Sequence, residues 1–164
     1  MIANESDPRP TSLAVRTTRV AAEGFVAASP DRVWELYGDI AGSADWIPFV
    51  DEVIWVNGPT GVGRTYRERT RMMGLKDVSD WLIVEWDAPR RQVHRSSNRL
   101  MDMDLVIEIQ PGPRGTHVRQ EAVLHSRLPF VGRLHEAAFG LVAGSGLRAA
   151  VSAVQDRLGH GDPR

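Results

Sequence analysis

The 164 residues predict an α+β domain, a curved sheet of seven antiparallel strands wrapped around one long C-terminal helix, with two short helices after the first strand. Three observations carry this expectation. From Val50 to Ser126 the chain alternates apolar and polar residues in short segments cut by Gly- and Pro-rich turns. The links between those segments are too short for helical crossovers, so neighbours must run antiparallel. Beyond Pro129 the apolar period changes from two to three and four, the spacing of an amphipathic helix.

Thr18 to Ala28 is rich in small and β-favouring residues and reads as the first strand. Ser29-Pro30-Asp31 then supplies an N-cap, a proline suited to the first helical position and a carboxylate for the helix dipole, so a short helix should run from Pro30 to about Tyr37. Ser43 to Trp46 can add one further turn before Pro48. Strands are expected over Val50–Val56, Arg64–Met72, Val78–Asp87, Arg91–Ser97, Leu100–Gln110 and Thr116–Ser126. The final helix should extend almost thirty residues from Pro129 and end at Gly159 and Gly161. Residues 1–17 read as a loose leader without the apolar core of a signal peptide, 18–159 as a single domain and 160–164 as a tail.

Composition mainly excludes. With 20 Lys+Arg against 21 Asp+Glu, wholesale attraction to nucleic acid is not expected. With no cysteine there is no disulfide, thiolate metal site or thiol nucleophile. No apolar run approaches the roughly 20 residues of a membrane span, so integral membrane association is not expected and a cytoplasmic location is. His117 and His125 share a strand face, but eight residues at about 3.3 Å each hold them roughly 26 Å apart, so they cannot bind one ion. His135-Glu136 lacks the second histidine of a zinc-protease helix. Hence no metal site is expected.

The layout, with Ala28-Ser-Pro-Asp-Arg-Val-Trp34, Gly38-Asp39-Ile40, Trp46-Ile-Pro-Phe49, Trp81-Leu-Ile-Val-Glu-Trp-Asp-Ala-Pro-Arg-Arg91 and Gly115-Thr-His-Val118, resembles the START-like, or SRPBCC, superfamily and its helix-grip fold. It is most similar to the bacterial polyketide cyclase/dehydrase and lipid-transport group. The resemblance implies a cavity between sheet and helix for an apolar or aromatic, polyketide- or lipid-like molecule. It also implies cyclisation or dehydration by acid/base chemistry, without an organic cofactor. In the aromatase/cyclases of this group a corresponding strand presents a tryptophan, a serine and an arginine to the pocket; here Trp81, Ile83 and Glu85 stand at those positions.

Strand parity nominates the chemistry. Placing Arg67, Arg69 and Arg71 inward would bury three cations, so Tyr66, Glu68, Thr70 and Met72 should face the interior. Glu68 then either lies under the helix, where burial raises its pKa into an acid/base range, or sits near an opening, solvated or paired with an arginine. Tyr66 and the buried amide of Gln120 are its candidate helpers. Trp34, Trp46, Phe49, Met103 and Leu105, with Phe130, Leu134, Ala138, Leu141 and Ser145 of the helix, complete the expected ligand wall. Gly140, Gly144 and Gly146 within that helix imply either close packing on the sheet or room for a ligand. Two further readings stay open: a non-catalytic carrier or sensor using the same cavity, and an interaction module using the arginine face. Either a monomer or a homodimer is compatible.

Overall fold

The computed structural model describes residues 16–99, 101–126 and 133–159. Its elements are β1 (Arg16–Val26), α1 (Pro30–Gly38), a 3-10 turn (Ser43–Asp45), β2 (Val50–Asn57), β3 (Thr65–Met72), β4 (Leu75–Asp87), β5 (Arg91–Ser97), β6 (Met101–Gly112), β7 (Gly115–Ser126) and α2 (Arg133–Gly159). β1 thus takes in Arg16 and Thr17, which the sequence reading gave to the leader.

One seven-stranded antiparallel sheet holds all the strands, in the order β1-β7-β6-β5-β4-β3-β2. The chain leaves one edge at β1 and re-enters at the opposite edge with β2. α1 and the 3-10 turn carry it across one end of the concave face, and α2 covers part of that face. α1 starts where its cap predicts. The Ser29 side chain accepts from the Arg32 backbone N–H at 3.4 Å, Pro30 opens the helix, and Asp31 sits in its first turn.

α2 packs on β1 and β7 at one margin of the sheet. Small residues make this close approach possible. Ala22 and Ala122 meet Leu147 and Val151, and a Cβ built on Gly24 would lie 2.7 Å from Val151 Cγ1 and 2.9 Å from Gln155 Nε2. Gln155 Nε2 donates to the Phe25 carbonyl at 2.8 Å beside that contact. Further along, Val154 and Leu158 join Val33 and Tyr37 of α1, Trp46, and Ile107, Ile109 and Val118 of the sheet in a core that closes one end. The segment Ala137–Gly159 is, by length and composition, long and apolar enough to cross a membrane, contrary to the sequence expectation. In the fold its Leu147, Ala150, Val151 and Val154 are buried against the protein itself.

On the convex face the charges are paired. Arg67 forms a two-pronged pair with Asp80 at 2.6 Å, Arg69 bonds Glu52, and Arg71 bonds Asp51 at 2.9 Å. The arginine face is therefore not the unpaired basic stripe that an anionic partner would recognise, which removes the ground for the interaction-module reading. Such exposed pairs add little to stability, because water and salt screen them.

The Gly24 seat makes a direct prediction. Gly24→Val places branched carbons where Val151 already sits, so urea unfolding should show a loss of about 1–3 kcal/mol with an unchanged m-value. A loss below about 0.5 kcal/mol would mean that α2 is not seated there.

Candidate functional site

Because α2 covers one margin of a curved sheet, a space remains between its N-terminal half and β3–β5. This cavity has a volume of about 140 Å³. A void of about that size lined by apolar side chains holds one aromatic ring.

β3 contributes Tyr66, Glu68, Thr70 and Met72, all on one face. β4 adds Asp77, Ser79 and Trp81, and β5 adds His94. Met103 and Leu105 of β6 and Gln120 of β7 form the floor, and Trp46 and Phe49 close the side next to the 3-10 turn. Ten of the residues nominated from sequence therefore line this one cavity: Tyr66, Glu68, Thr70, Met72, Trp81, Met103, Leu105, Gln120, Trp46 and Phe49.

The others are placed elsewhere. Ile83 is fully buried but lies beyond the cavity lining. Glu85 is turned out by a register shift between Ile83 and Glu85 in the β4–β5 ladder, and pairs with Arg91 at 2.9 Å. The same shift lets Trp86 face α1, where it meets Trp34 edge-on at 4.7 Å, so Trp34 packs away from the cavity. On α2, Ala138, Leu141 and Ser145 are exposed. The face turned to the cavity is Ala143, Gly146, Leu147 and Ala150, nearly half a turn away at about 100° per residue. Leu134 belongs to α2, but its side chain, like all of Phe130, lies outside the described residues.

Residues the sequence reading did not nominate include Tyr37, Ile40, Ser43 and His94. Tyr37 follows the inward stripe of α1 from Val33, a spacing that could have found it. His94 had no such signal, since Arg91–Ser97 lacks an apolar alternation from which to read its faces.

The helix glycines divide between both expected roles. A Cβ on Gly144 would lie 3.2 Å from Val20 Cγ1, which is close packing on β1. One on Gly146 would lie 2.8 Å from Met72 Sδ and 3.5 Å from Phe49 Cε1, so that glycine makes room at the cavity wall.

Polar groups in this apolar setting are few. Glu68 is half-buried on the cavity wall, and loss of water pushes its carboxyl from 4.5 up to about 7. The Trp81 indole N–H partly offsets the rise, and the negative charge of Asp77 adds to it. Tyr66 stacks on Trp81 with ring centroids 6.1 Å apart and interplanar angle 10°. Its hydroxyl lies 2.8 Å from His94 Nδ1, and His94 Nε2 lies 2.7 Å from Gln92 Oε1. Burial lowers His94 from 6.5 to about 4. Gln120 Nε2 donates to the Tyr37 hydroxyl, whose pKa burial raises, and the Tyr37 ring meets Trp46 edge-on at 5.4 Å. Just beneath the cavity surface Ser43 Oγ and Trp46 Nε1 have no hydrogen-bond partner. No cluster of potential metal ligands occurs among the described residues.

Comparison with known proteins agrees with this architecture. The profile of the family described as polyketide cyclase / dehydrase and lipid transport matches residues 17–159. No curated protein matches the chain in sequence. The Zhui aromatase/cyclase from Streptomyces sp. R1128 superimposes with a TM-score of 0.76 at 18% identity, over 88% of this chain and 94% of that one. A START superfamily protein from Mycobacterium smegmatis gives 0.72 at 17% identity, over 87% and 97%. The di-domain aromatase/cyclase BexL gives 0.73 at 18% identity, over 90% of this chain and 51% of its own, so the chain spans about half of that protein.

The two buried groups make a pH prediction. An unfolded chain releases the Glu68 proton near 4.5 and the folded chain near 7, so stability falls as pH rises through that window. His94 acts oppositely: the unfolded chain takes up its proton below 6.5 and the folded chain only near 4, so stability rises with pH between those values. Glu68→Gln removes the first slope alone. Its stability relative to the parent should therefore climb by about 3 kcal/mol from pH 4.5 to 7 in urea unfolding, and a constant difference would show that Glu68 is solvated. The family profile, the seven-stranded sheet and the helix laid against it establish that this chain belongs to the polyketide cyclase / dehydrase and lipid-transport family.

Proposed function

We propose that the protein takes an apolar, ring-bearing, oxygenated small molecule of polyketide type into the cavity and acts on it by proton transfer through Glu68. The observation that carries this reading is the Glu68 carboxyl, raised to about 7 on a largely apolar cavity wall that it shares with Asp77. At neutral pH such a group is divided between its acid and base forms, which suits it both to remove a proton from carbon or hydroxyl and to return one. Dehydration and aldol-type ring closure need that pair of steps. In either, the base takes a proton next to a carbonyl, the electron pair forms the new C–C bond or expels hydroxide, and the acid form protonates the departing or newly formed oxygen.

The other polar groups favour an oxygenated ligand over a plain acyl chain. A hydrocarbon would leave the donors of Ser43 and Trp46 without partners, at a cost of about 1–3 kcal/mol each. The stacked Tyr66 and Trp81 offer a flat surface to a ring. No step requires a cofactor. Confinement beside the carboxyl supplies the remaining assistance, by holding the chain in a reactive conformation.

Mass spectrometry of small molecules that co-purify with the full chain identifies the ligand. Gly146→Leu pushes Met72 and Phe49 into the cavity and should remove that ligand. The extracted molecule, returned to the parent protein, should be converted, whereas Glu68→Gln should bind it within about threefold and turn it over 10²–10⁴-fold more slowly. A ligand released chemically unchanged by both proteins would establish a carrier or sensor instead.

A further inference from the structure

Behind the cavity wall lies a buried hydrogen-bonded chain that Glu68 chemistry leaves unused. Gln92, His94 and Tyr66 are 0%, 2% and 4% exposed. Gln92 and His94 are two residues apart on β5 and so share its inner face, while Tyr66 reaches His94 from β3. His94 and Tyr66 line the cavity, and Gln92 sits behind them.

The direction of this chain follows from its inner end. Gln92 presents its amide oxygen to His94 Nε2 at 2.7 Å. In this orientation of the amide, which leaves Gln92 Nε2 itself without a partner, the oxygen only accepts, so His94 Nε2 carries a hydrogen. A neutral imidazole has a single N–H, and burial with a pKa near 4 keeps this ring neutral at pH 7. Nδ1 is then an acceptor, and the Tyr66 hydroxyl, 2.8 Å away, must donate to it. The proton of Tyr66 is thereby committed to the protein interior, and the oxygen lone pairs are left for the cavity. The chain does not relay protons, because it ends on an amide oxygen that does not accept one. Glu68 remains the exchanging group, two residues along the same strand face and about 7 Å away.

We propose that His94 is a positioning residue: it holds the Tyr66 hydroxyl as an acceptor toward the cavity, so that the site selects ligands bearing a hydroxyl or enol donor. This rests on the small-molecule reading above and deepens it by naming the ligand group that Tyr66 recognises. An enol or phenol fits the chemistry, since it is the form in which a carbonyl compound carries an O–H next to the carbon from which a base has taken a proton.

Two measurements on the full chain test it. Long-range ¹H–¹⁵N NMR at pH 7 should show His94 protonated on Nε2 and bare on Nδ1; an Nδ1–H tautomer or a charged ring overturns the proposal whether or not any ligand binds. Calorimetric titration with p-cresol, a donor, and acetophenone, an acceptor only, then reads the selection. Tyr66→Phe should weaken p-cresol about tenfold, the effect of one hydrogen bond of roughly 1.4 kcal/mol, and change acetophenone less than twofold. Equal losses for both probes, or no loss for p-cresol, overturn the proposal while leaving the small-molecule reading intact. If neither probe binds the parent protein, the small-molecule reading fails, and the selection with it.

Discussion

The seating of α2 on the small-residue lane of β1 and β7 is the contact on which the rest of the structure depends. Ala22, Gly24 and Ala122 let the helix come close at one margin of the sheet, where Val151 and Gln155 fill the space a side chain on Gly24 would need. A helix held at the margin of a curved sheet meets β3 at the Met72 side chain beside Gly146 but does not pack along β4 and β5. The space left over is the cavity. A larger residue in the lane would lift α2 and lose the close packing on which its position depends, since interiors tolerate little change in volume. Packing on one side of the helix thus creates the absence of packing on the other, and the same helix changes role at Gly144 and Gly146, two residues apart.

What fills the cavity wall is set by a division of charge between the two faces of the sheet. On the convex side, Glu85, Arg91, Glu108, Arg119 and Glu121 form a chain of ion pairs across β4 to β7, and Arg19 of β1 extends it. Carboxylates there remain in water and beside cations. Glu68 faces the other way, half-buried and with no paired cation among the described residues, so loss of water raises its carboxyl to about 7. His94 responds to the same desolvation in the opposite sense and gives up its proton. Two ionisable groups of opposite type thus shift in opposite directions within one wall. Tyr66 links them, since it is bonded to His94 and has its pKa raised by burial and by the nearby charge of Glu68.

Strand parity explains both what the sequence disclosed and what it withheld. β3 reads inward and outward without ambiguity because Arg67, Arg69 and Arg71 cannot be buried, and Tyr66, Glu68, Thr70 and Met72 follow on the cavity side. The two methionines, Leu105 and Ile107 of β6 oppose acidic residues in the same way. Parity fails where the backbone departs from a regular ladder. Two residues of β4, Val84 and Glu85, share the register step between Ile83 and its neighbours, so Glu85 faces outward where simple alternation puts it inside. Helical period is weaker evidence still. α2 is apolar on more than one side, and Leu141 was as plausible inward as Leu147, yet it is 60% exposed while Leu147 is 5% exposed. The contact with Gly24 determines which face turns in, and that contact lies more than a hundred residues away in sequence.

The register shift in β4 also bounds the chemistry. In a regular strand, Trp81, Ile83 and Glu85 would line up as three inward positions, the pattern that the aromatase/cyclase resemblance implies. Here Ile83 is sealed in the core, Glu85 is held outside by Arg91, and Trp86 turns toward Trp34 and α1. The inward face of β4 therefore meets the cavity from Asp77 to Trp81 and no further. Polar chemistry is displaced toward the start of β4 and onto β3 and β5, where Glu68, Ser79, Tyr66 and His94 face one another across adjacent strands. The fold is shared with a solved structure at 18% identity, but in this chain one extra residue in a strand decides which side chains face the cavity.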